Sequence, residues 1–321
     1  MKAIGITTYG GPEVLHEVEL PDPHAGSGQV RIRVLAAGVN PADVMLRDGS
    51  LAELYVAEKP PFVPGMDVAG VLDEIGPNVD PDYGLEIGQE VVGIVDNHGP
   101  VGGYSQFVAL PAESVTAKPV NTSFIEAASF LMNALTARTA LDALDLKPES
   151  SLLVTGAAGA FGGHVVELAC EAGIRVIAVA SPADEELARS LGASDFIPRG
   201  DDLAARARRV SPDGVDAVAD GAGLREHITP SIRDGGQLLI VRPWSGTPGR
   251  GISVTHIDVR SRVIDRDSIT DLRHKVEAGV LTPRVARVFP AEDASRAHEL
   301  LERGGVRGRI ILDMGGDIQR R

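Results

Sequence analysis

The chain has 321 residues, 43% of them hydrophobic, which is enough for two domains with cores of their own. A formal net charge of −14 without any basic run argues against nucleic acid or an anionic membrane surface as a partner, and a single cysteine excludes a disulfide framework and a cysteine-rich metal cluster. No terminal segment reads as a signal peptide and no apolar run approaches the roughly 20 residues of a bilayer span, so a cytoplasmic location is expected.

From residue 1 to about 120, short β-rich pieces such as 30–34 and 90–95 are punctuated by Pro and Gly, the pattern of a mostly β domain. From about 121 to 255 the patterns alternate. A helix at 124–144 is followed by an apolar strand that enters glycines at 152–163 and leaves as a helix through 165–170. A strand at 174–180, a helix at 184–191 and strands at 215–220 and 237–241 come next. Such alternation predicts an α/β unit with a doubly wound parallel sheet. The stretch 251–257 alternates apolar and polar residues and is expected at the edge of that sheet, and the tail from 256 holds two helices and a last strand at 309–312. The expected domains are therefore 1–120, completed by 256–321, and 121–255.

The segment 152–163 carries the most chemistry. Gly156, Gly159 and Gly162 follow the spacing G-x-x-G-x-x-G, with Ala160 and Phe161 in the same turn. Glycines here let the backbone approach a pyrophosphate, whose charge the N-terminus of the following helix stabilises. A ligand-free glycine turn is the alternative; the strand at 174–180, arriving where a βαβ unit requires it, favours the dinucleotide. At the end of that strand, where an NAD site usually has an acid for the ribose 2′-hydroxyl, this chain has Ala180 and Ser181. A small hydroxyl leaves room for a 2′-phosphate, so NADPH is expected. Asp184, Glu185 and Glu186 argue the other way. Arg199 after the third strand is a candidate to supply the positive charge, although a plain surface Arg is an equal reading, and Arg309 is a weaker candidate.

Six ordered motifs then carry a family resemblance across essentially the whole chain: Gly10-Gly11-Pro12-Glu13-Val14-Leu15, Gly38-Val39-Asn40-Pro41-Ala42-Asp43, Pro64-Gly65-Met66-Asp67-Val68-Ala69-Gly70, Gly102-Gly103-Tyr104-Ser105, Thr136-Ala137-Arg138-Thr139-Ala140-Leu141 and the glycine loop. With these the chain resembles the medium-chain dehydrogenase/reductase superfamily, and within it the zinc-independent quinone oxidoreductase and enoyl reductase branch. The resemblance implies a GroES-like domain, to which the tail returns, packed on a Rossmann domain with NADPH between them, and a homodimer formed through the strand at 251–257.

Zinc relatives carry Cys, His and Cys ligands at positions that align here with Asn40, Met66 and Met132, a weak amide and two poor thioether donors. The lobe that holds a structural zinc in those relatives, near 84–103, contains no Cys, and His98 and His164 are isolated and read as structural. No metal is expected, which disfavours alcohol oxidation and favours hydride transfer to a polarised C=C or a quinone. The resemblance assigns Asn40 to the nicotinamide ribose and the substrate mouth, with Thr136 and Val241 as further cofactor contacts; a turn cap before Pro41 is the competing role for Asn40. Asp43 reads as a helix N-cap. Where enoyl-reducing relatives place a tyrosine donor, this chain has Met45 or Leu51, and the nearest phenol, Tyr55, lies in an altered loop. Met45, Leu51, Tyr55 and Trp244, with Phe62 and Phe130, are candidates to line a pocket for a small apolar substrate, each also readable as ordinary packing. Cys170 reads as a small buried apolar residue. A non-catalytic NADPH-binding sensor or scaffold, and a tailoring enoyl reductase of the same fold, stay open as alternatives.

Overall fold

The computed structural model describes residues 1–96 and 101–315, so His98 lies outside the described residues. It divides into two units, one built from 1–132, 263–278 and 283–315, the other from 133–262 and 279–282. The first unit begins with β1 (Lys2–Gly5) paired antiparallel to β2 (His16–Glu19). Its main sheet is built on β3 (Gln29–Val39), where Val30, Ile32 and Val34 are buried and alternate with half-exposed Arg31 and Arg33. Helix α1 (Pro41–Asp48) follows, then β4 (Asp67–Ile75), β5 (Glu90–Ile94), β6 (Phe107–Pro111), β7 (Val115–Ala117) and the short α2 (Phe124–Ala127).

The second unit contains most of α3 (Leu131–Leu144), then β8 (Ser151–Thr155), α4 (Ala160–Glu171), β9 (Arg175–Ala180), α5 (Glu185–Ser190), β10 (Asp195–Pro198), α6 (Leu203–Val210), β11 (Val215–Asp220), β12 (Ile232–Ile240) and β13 (Ser253–His256). Its sheet runs β10-β9-β8-β11-β12-β13, with every pair parallel. Strand β8 is buried along its whole length, as a central parallel strand covered on both faces must be. The strand order reverses between β8 and β11, so the crevice of this Rossmann-type sheet opens at their carboxyl ends. Leu153, Ile177, Val218, Leu238 and Ile240 form its core.

The tail supplies α7 (Arg266–Glu277), β14 (Val285–Pro290), α8 (Ala294–Arg303) and β15 (Arg309–Asp313). Strand β15 pairs antiparallel with β3, Ile310 opposite Val39, and parallel with β14. This gives the order β14-β15-β3-β4-β5-β7, with β6 also on β3. No helix among the described residues is long and apolar enough to cross a membrane.

Two expectations need correction. The helix expected over 124–144 is two helices, because the chain turns at Ser129, whose hydroxyl and amide both donate to the Glu126 carbonyl. The unit boundaries fall near 132 and 262 instead of 120 and 255. The segment ahead of α3 packs on β3 and β4, so closely that a Cβ at Gly38 would stand 2.7 Å from the Ala128 carbonyl oxygen. At the other end, Arg262 is ion-paired to Asp142 of α3 at 2.6 Å.

Candidate functional site

In the second unit the glycine loop occupies the reversal point. Gly156 has φ +67°, a left-handed conformation that glycine adopts without strain, and Gly159 is the N-cap of α4. A Cβ at Gly162 would lie 2.3 Å from the Gly156 carbonyl oxygen, so Gly162 lets helix and loop close on each other, whereas a Cβ at Gly159 would meet only that oxygen, at 3.2 Å. Ala160 and Phe161 open α4, half-buried. Below the loop, the Thr155 hydroxyl donates to Asp220 (2.6 Å) and accepts from the Ala222 amide (3.0 Å), while Asp220 also accepts from the Arg225 amide (2.7 Å). These bonds tie the carboxyl ends of β8 and β11 beneath the crevice.

The ends of β9 and β10 bring two more candidates together. Pro198 pairs with Ala180 and the Arg199 amide donates to the Ala180 carbonyl at 2.8 Å, so Arg199 and Ser181 leave the sheet side by side. The acids that argued against NADPH are largely engaged elsewhere: Asp184 is buried in the turn after Ser181 and Glu185 pairs with Arg189. Val241 is the first residue beyond β12 on the same edge, and Thr136 is half-buried on α3.

In the first unit Asn40 is buried at the turn from β3 into α1. Its carboxamide nitrogen donates to Asp67 Oδ2 (2.9 Å) and its amide to Asp43 Oδ2 (2.7 Å). Asn40 itself holds the N-cap position and Asp43 is the third helical residue reaching back to it, which corrects the reading of Asp43 as the cap. Asp43 also accepts from the Gly65 amide (2.8 Å) and the Tyr104 hydroxyl (3.2 Å). The other oxygen of Asp67 accepts from the Met132 amide at 2.7 Å, in the first turn of α3, where unpaired amides favour a carboxylate.

Behind Asp43 runs a buried polar chain. Tyr104 Oη lies 3.1 Å from His298 Nε2, His298 Nδ1 lies 3.4 Å from Arg47 Nη1, and Arg47 pairs with the partly exposed Glu302 at 2.7 Å. Arginine can only donate, so Nδ1 accepts, Nε2–H donates to Tyr104, and Tyr104 donates to Asp43. Burial pushes the Asp43 carboxyl up to about 7, against the pull of the Asn40 and Gly65 amides and Arg309. Burial and the neighbouring Arg47 lower His298 to about 3, and burial raises Tyr104 well above the usual phenol range. Arg309 is buried here, donating to the Val39 carbonyl at 2.8 Å, which removes it as a candidate for the 2′-phosphate.

The remaining candidates separate. Met45 and Leu51 are half-buried on and just after α1. Tyr55 is no free loop phenol: it is 2% exposed in the core, tilted against Phe62 at 5.4 Å, and with Phe62 and Tyr9 it lines a groove of about 360 Å³. Phe130 is fully buried, and Trp244 packs on the core of the second unit. Cys170 is half-buried instead of fully buried. Its thiol donates to the Gly192 carbonyl, and burial raises it to about 11, so it carries no thiolate at neutral pH. His164 bonds Glu167 at 2.9 Å, a structural role. Sequence reasoning missed the buried polar contacts of Asp67, Asp220, Tyr104, His298 and Arg47. The available signal was an acid inside the apolar run 63–72, and Arg47 four residues after Asp43 on one helix face.

Comparisons with known proteins bear on the fold and the family. A family model described as the alcohol dehydrogenase GroES-like domain matches residues 26–120, and one described as zinc-binding dehydrogenase matches 191–312. The chain is similar to a 2-methylene-furan-3-one reductase of Solanum lycopersicum, at 30% identity over 97% of this chain and 79% of that protein. It is also similar to an NADPH-dependent alkenal/one oxidoreductase, chloroplastic, of Arabidopsis thaliana, at 30% identity with the same coverage. A mycobacterial quinone oxidoreductase of known structure is 28% identical, with a TM-score of 0.81 over 97% of this chain and 99% of that one.

Proposed function

The chain belongs to the medium-chain dehydrogenase/reductase superfamily, and we propose that it is an NADPH-dependent, zinc-independent reductase acting on the activated C=C of an enone-like substrate or on a quinone. When bound, NADPH supplies the hydride. The glycine loop and the N-terminus of α4 would hold its pyrophosphate and Ser181 and Arg199 would receive the 2′-phosphate, while the family resemblance gives Asn40 to the nicotinamide ribose. The chain's own contribution is to fix distance and face and to exclude water. No acid is assigned to return the proton, which solvent supplies in this reading.

The observation that carries the choice of reaction is the donor set around Asp67. Asn40 and the Met132 backbone both bond this carboxylate, Met66 precedes it, and an amide with two thioethers does not fit a zinc site. Among the described residues no group of three or more His, Cys, Asp or Glu is arranged to hold a metal. Such a donor set offers a poor seat for a Lewis acid that would stabilise an alkoxide, which favours a substrate that is polarised already, as an enone or quinone is. A cytoplasmic location, and a small apolar substrate and a second copy of the chain as partners, complete this reading.

The test is an NADPH-oxidation screen over quinones, enones and enoyl thioesters, on protein whose metal content has been measured. Turnover of an enone or quinone by metal-free protein is expected. Protein that binds NADPH yet oxidises it with none of these acceptors would overturn the enzyme reading in favour of a sensor, and activity that a chelator abolishes would overturn zinc independence.

A further inference from the structure

We propose that Asp67 is a positioning residue that holds the Asn40 carboxamide in its working orientation, an inference that rests on the reading of Asn40 given above. Asp67 is 1% exposed and stands at the start of β4, where its Cβ is within 3.0 Å of the position a Gly38 side chain would occupy. Its two oxygens divide their work. Oδ2 takes the Asn40 carboxamide N–H at 2.9 Å, and Oδ1 takes the Met132 amide at 2.7 Å. A carboxylate can only accept, so it fixes which end of the Asn40 amide faces inward, a choice that an amide flanked by mixed donors and acceptors would leave open. The Met132 bond holds the carboxylate in turn, because a backbone amide in the first turn of a helix cannot swing away.

The frame continues on the backbone side. The Val39 carbonyl accepts from Arg309 at 2.8 Å and the Asn40 amide donates to Asp43 at 2.7 Å, so the peptide entering Asn40 is pinned on both edges by side chains from β15 and α1, and the Asn40 carbonyl accepts from the Asp43 amide at 3.0 Å. Among the described residues Asp67 is the one side chain that bonds the Asn40 carboxamide, whose other end faces the Asp43 backbone amide in the capping box, while the backbone is fixed independently of Asp67. Removing the Asp67 carboxylate should therefore loosen the side chain of Asn40, leaving it only the cap contact to the Asp43 amide, and leave its place in the chain unchanged. Small losses of orientation at a reacting centre cost rate more than binding, and the pyrophosphate contacts belong to a different segment, the glycine loop.

The experiment is a double-mutant cycle in the full-length protein with Asn40→Ala, Asp67→Asn and the combination, and with Asp67→Glu as a variant that keeps the buried charge. Expected results are a fall of about tenfold in kcat for Asp67→Asn, an NADPH dissociation constant within about twofold of the unmodified protein, and a double variant no worse than Asn40→Ala alone. An activity-independent readout is the side-chain amide of Asn40 in a nitrogen-edited NMR spectrum, which should exchange slowly with solvent in the unmodified protein and fast in Asp67→Asn and Asp67→Glu. If Asn40 matters but its amide signal is unchanged in both Asp67 variants, or the losses multiply in the double variant, this inference falls and the reading of Asn40 stands. If Asn40→Ala leaves kcat/KM unchanged, the reading of Asn40 falls and takes this inference with it.

Discussion

Asp43 and His298 sit on one buried hydrogen-bonded chain, and their titrations oppose each other. Asp43 faces the Asn40 and Gly65 amides, Tyr104, Asp67 and Arg309; its carboxyl is raised from 3.8 to about 7, so the folded protein keeps a proton there that the unfolded chain has released. Taken alone, this makes stability fall as pH rises through that window. His298 faces Arg47 and Tyr104 and is lowered from 6.5 to about 3; here the unfolded chain holds the extra proton, and stability rises with pH up to about 6.5. Between 3.8 and 6.5 the two slopes cancel. His298→Gln should expose a stability that falls with pH in this range and Asp43→Asn one that rises, each by up to about 1.4 kcal/mol per unit. Urea unfolding at pH 4.5, 5.5 and 6.5 (about evenly spaced points within that range) checks this, and slopes equal to that of the unmodified protein would refute it. In the glycine loop the structure separates two positions that look equivalent in sequence. Gly159→Val should weaken NADPH binding by about tenfold or more with little change in melting temperature, because its side chain meets only one oxygen, at 3.2 Å. Gly162→Val, 2.3 Å from the Gly156 carbonyl, should instead cost about 1–3 kcal/mol of stability. Titration of NADPH fluorescence alongside thermal melts separates the two effects. Ser181→Asp should turn preference from NADPH toward NADH, since a carboxylate repels a 2′-phosphate and accepts from a free hydroxyl. The kcat/KM ratio for the two cofactors measures it, and an unmodified protein that already prefers NADH would sink the assignment.

Elements were legible where their cause is local. The strand at 30–34 lies within β3 and the helix through 165–170 within α4, because alternation and apolar periodicity are written in adjacent residues. The strand at 237–241 begins in the second half of β12, whose earlier part, Ile232–Gly236, is hidden in sequence by Arg233, Asp234 and two glycines and is held through Ile232 opposite Val215 of β11 and the Gly235 amide on the Arg250 carbonyl. The break between α2 and α3 was illegible for a related reason: propensity favours a continuous helix, and the turn at Ser129 frees the Met132 amide for Asp67, a residue 65 positions away. The candidate site follows the same rule. The glycine loop and Ser181 announce themselves by spacing, whereas the role of Asp67 depends on contacts from three separated segments. The junction gives a test at this scale. Gly38→Ala would put a methyl 2.7 Å from the Ala128 carbonyl and 3.0 Å from Asp67 Cβ, pushing the entry to α3 off β3 at a cost of about 1–3 kcal/mol. Denaturant midpoints measure that cost, and an Ala variant as stable as the unmodified protein would show that the junction is not closed.

At the scale of the molecule, both sheets could be anticipated as classes, one from Pro and Gly punctuation and one from alternation, but the return of β14 and β15 to the first sheet could not be read from residues 256–321 themselves. It depends on Ile310 and Leu312 finding places opposite Val39 and Ala37, which is a property of the assembled β3. The whole-molecule expectation that remains to be tried is the homodimer. Strand β13 pairs on one side with β12, Val254 opposite Leu238, and among the described residues no strand pairs with its other side. An open edge invites a second strand unless charge or cover blocks it; of the two arginines beyond β13 that could guard this edge, Arg260 and Arg262, Arg262 is committed to Asp142. Two copies related by a two-fold axis could join here into one continuous sheet, the self-complementary geometry of a cyclic dimer. Light scattering at micromolar concentration should therefore give twice the chain mass of 33.6 kDa. Val254→Pro, which removes a backbone donor from this four-residue strand and stiffens it, should give a monomer that still binds NADPH, since the glycine loop is at the other side of β12. A monomer mass for the unmodified protein would refute the dimer, and a dimer that survives Val254→Pro would move the interface away from this edge.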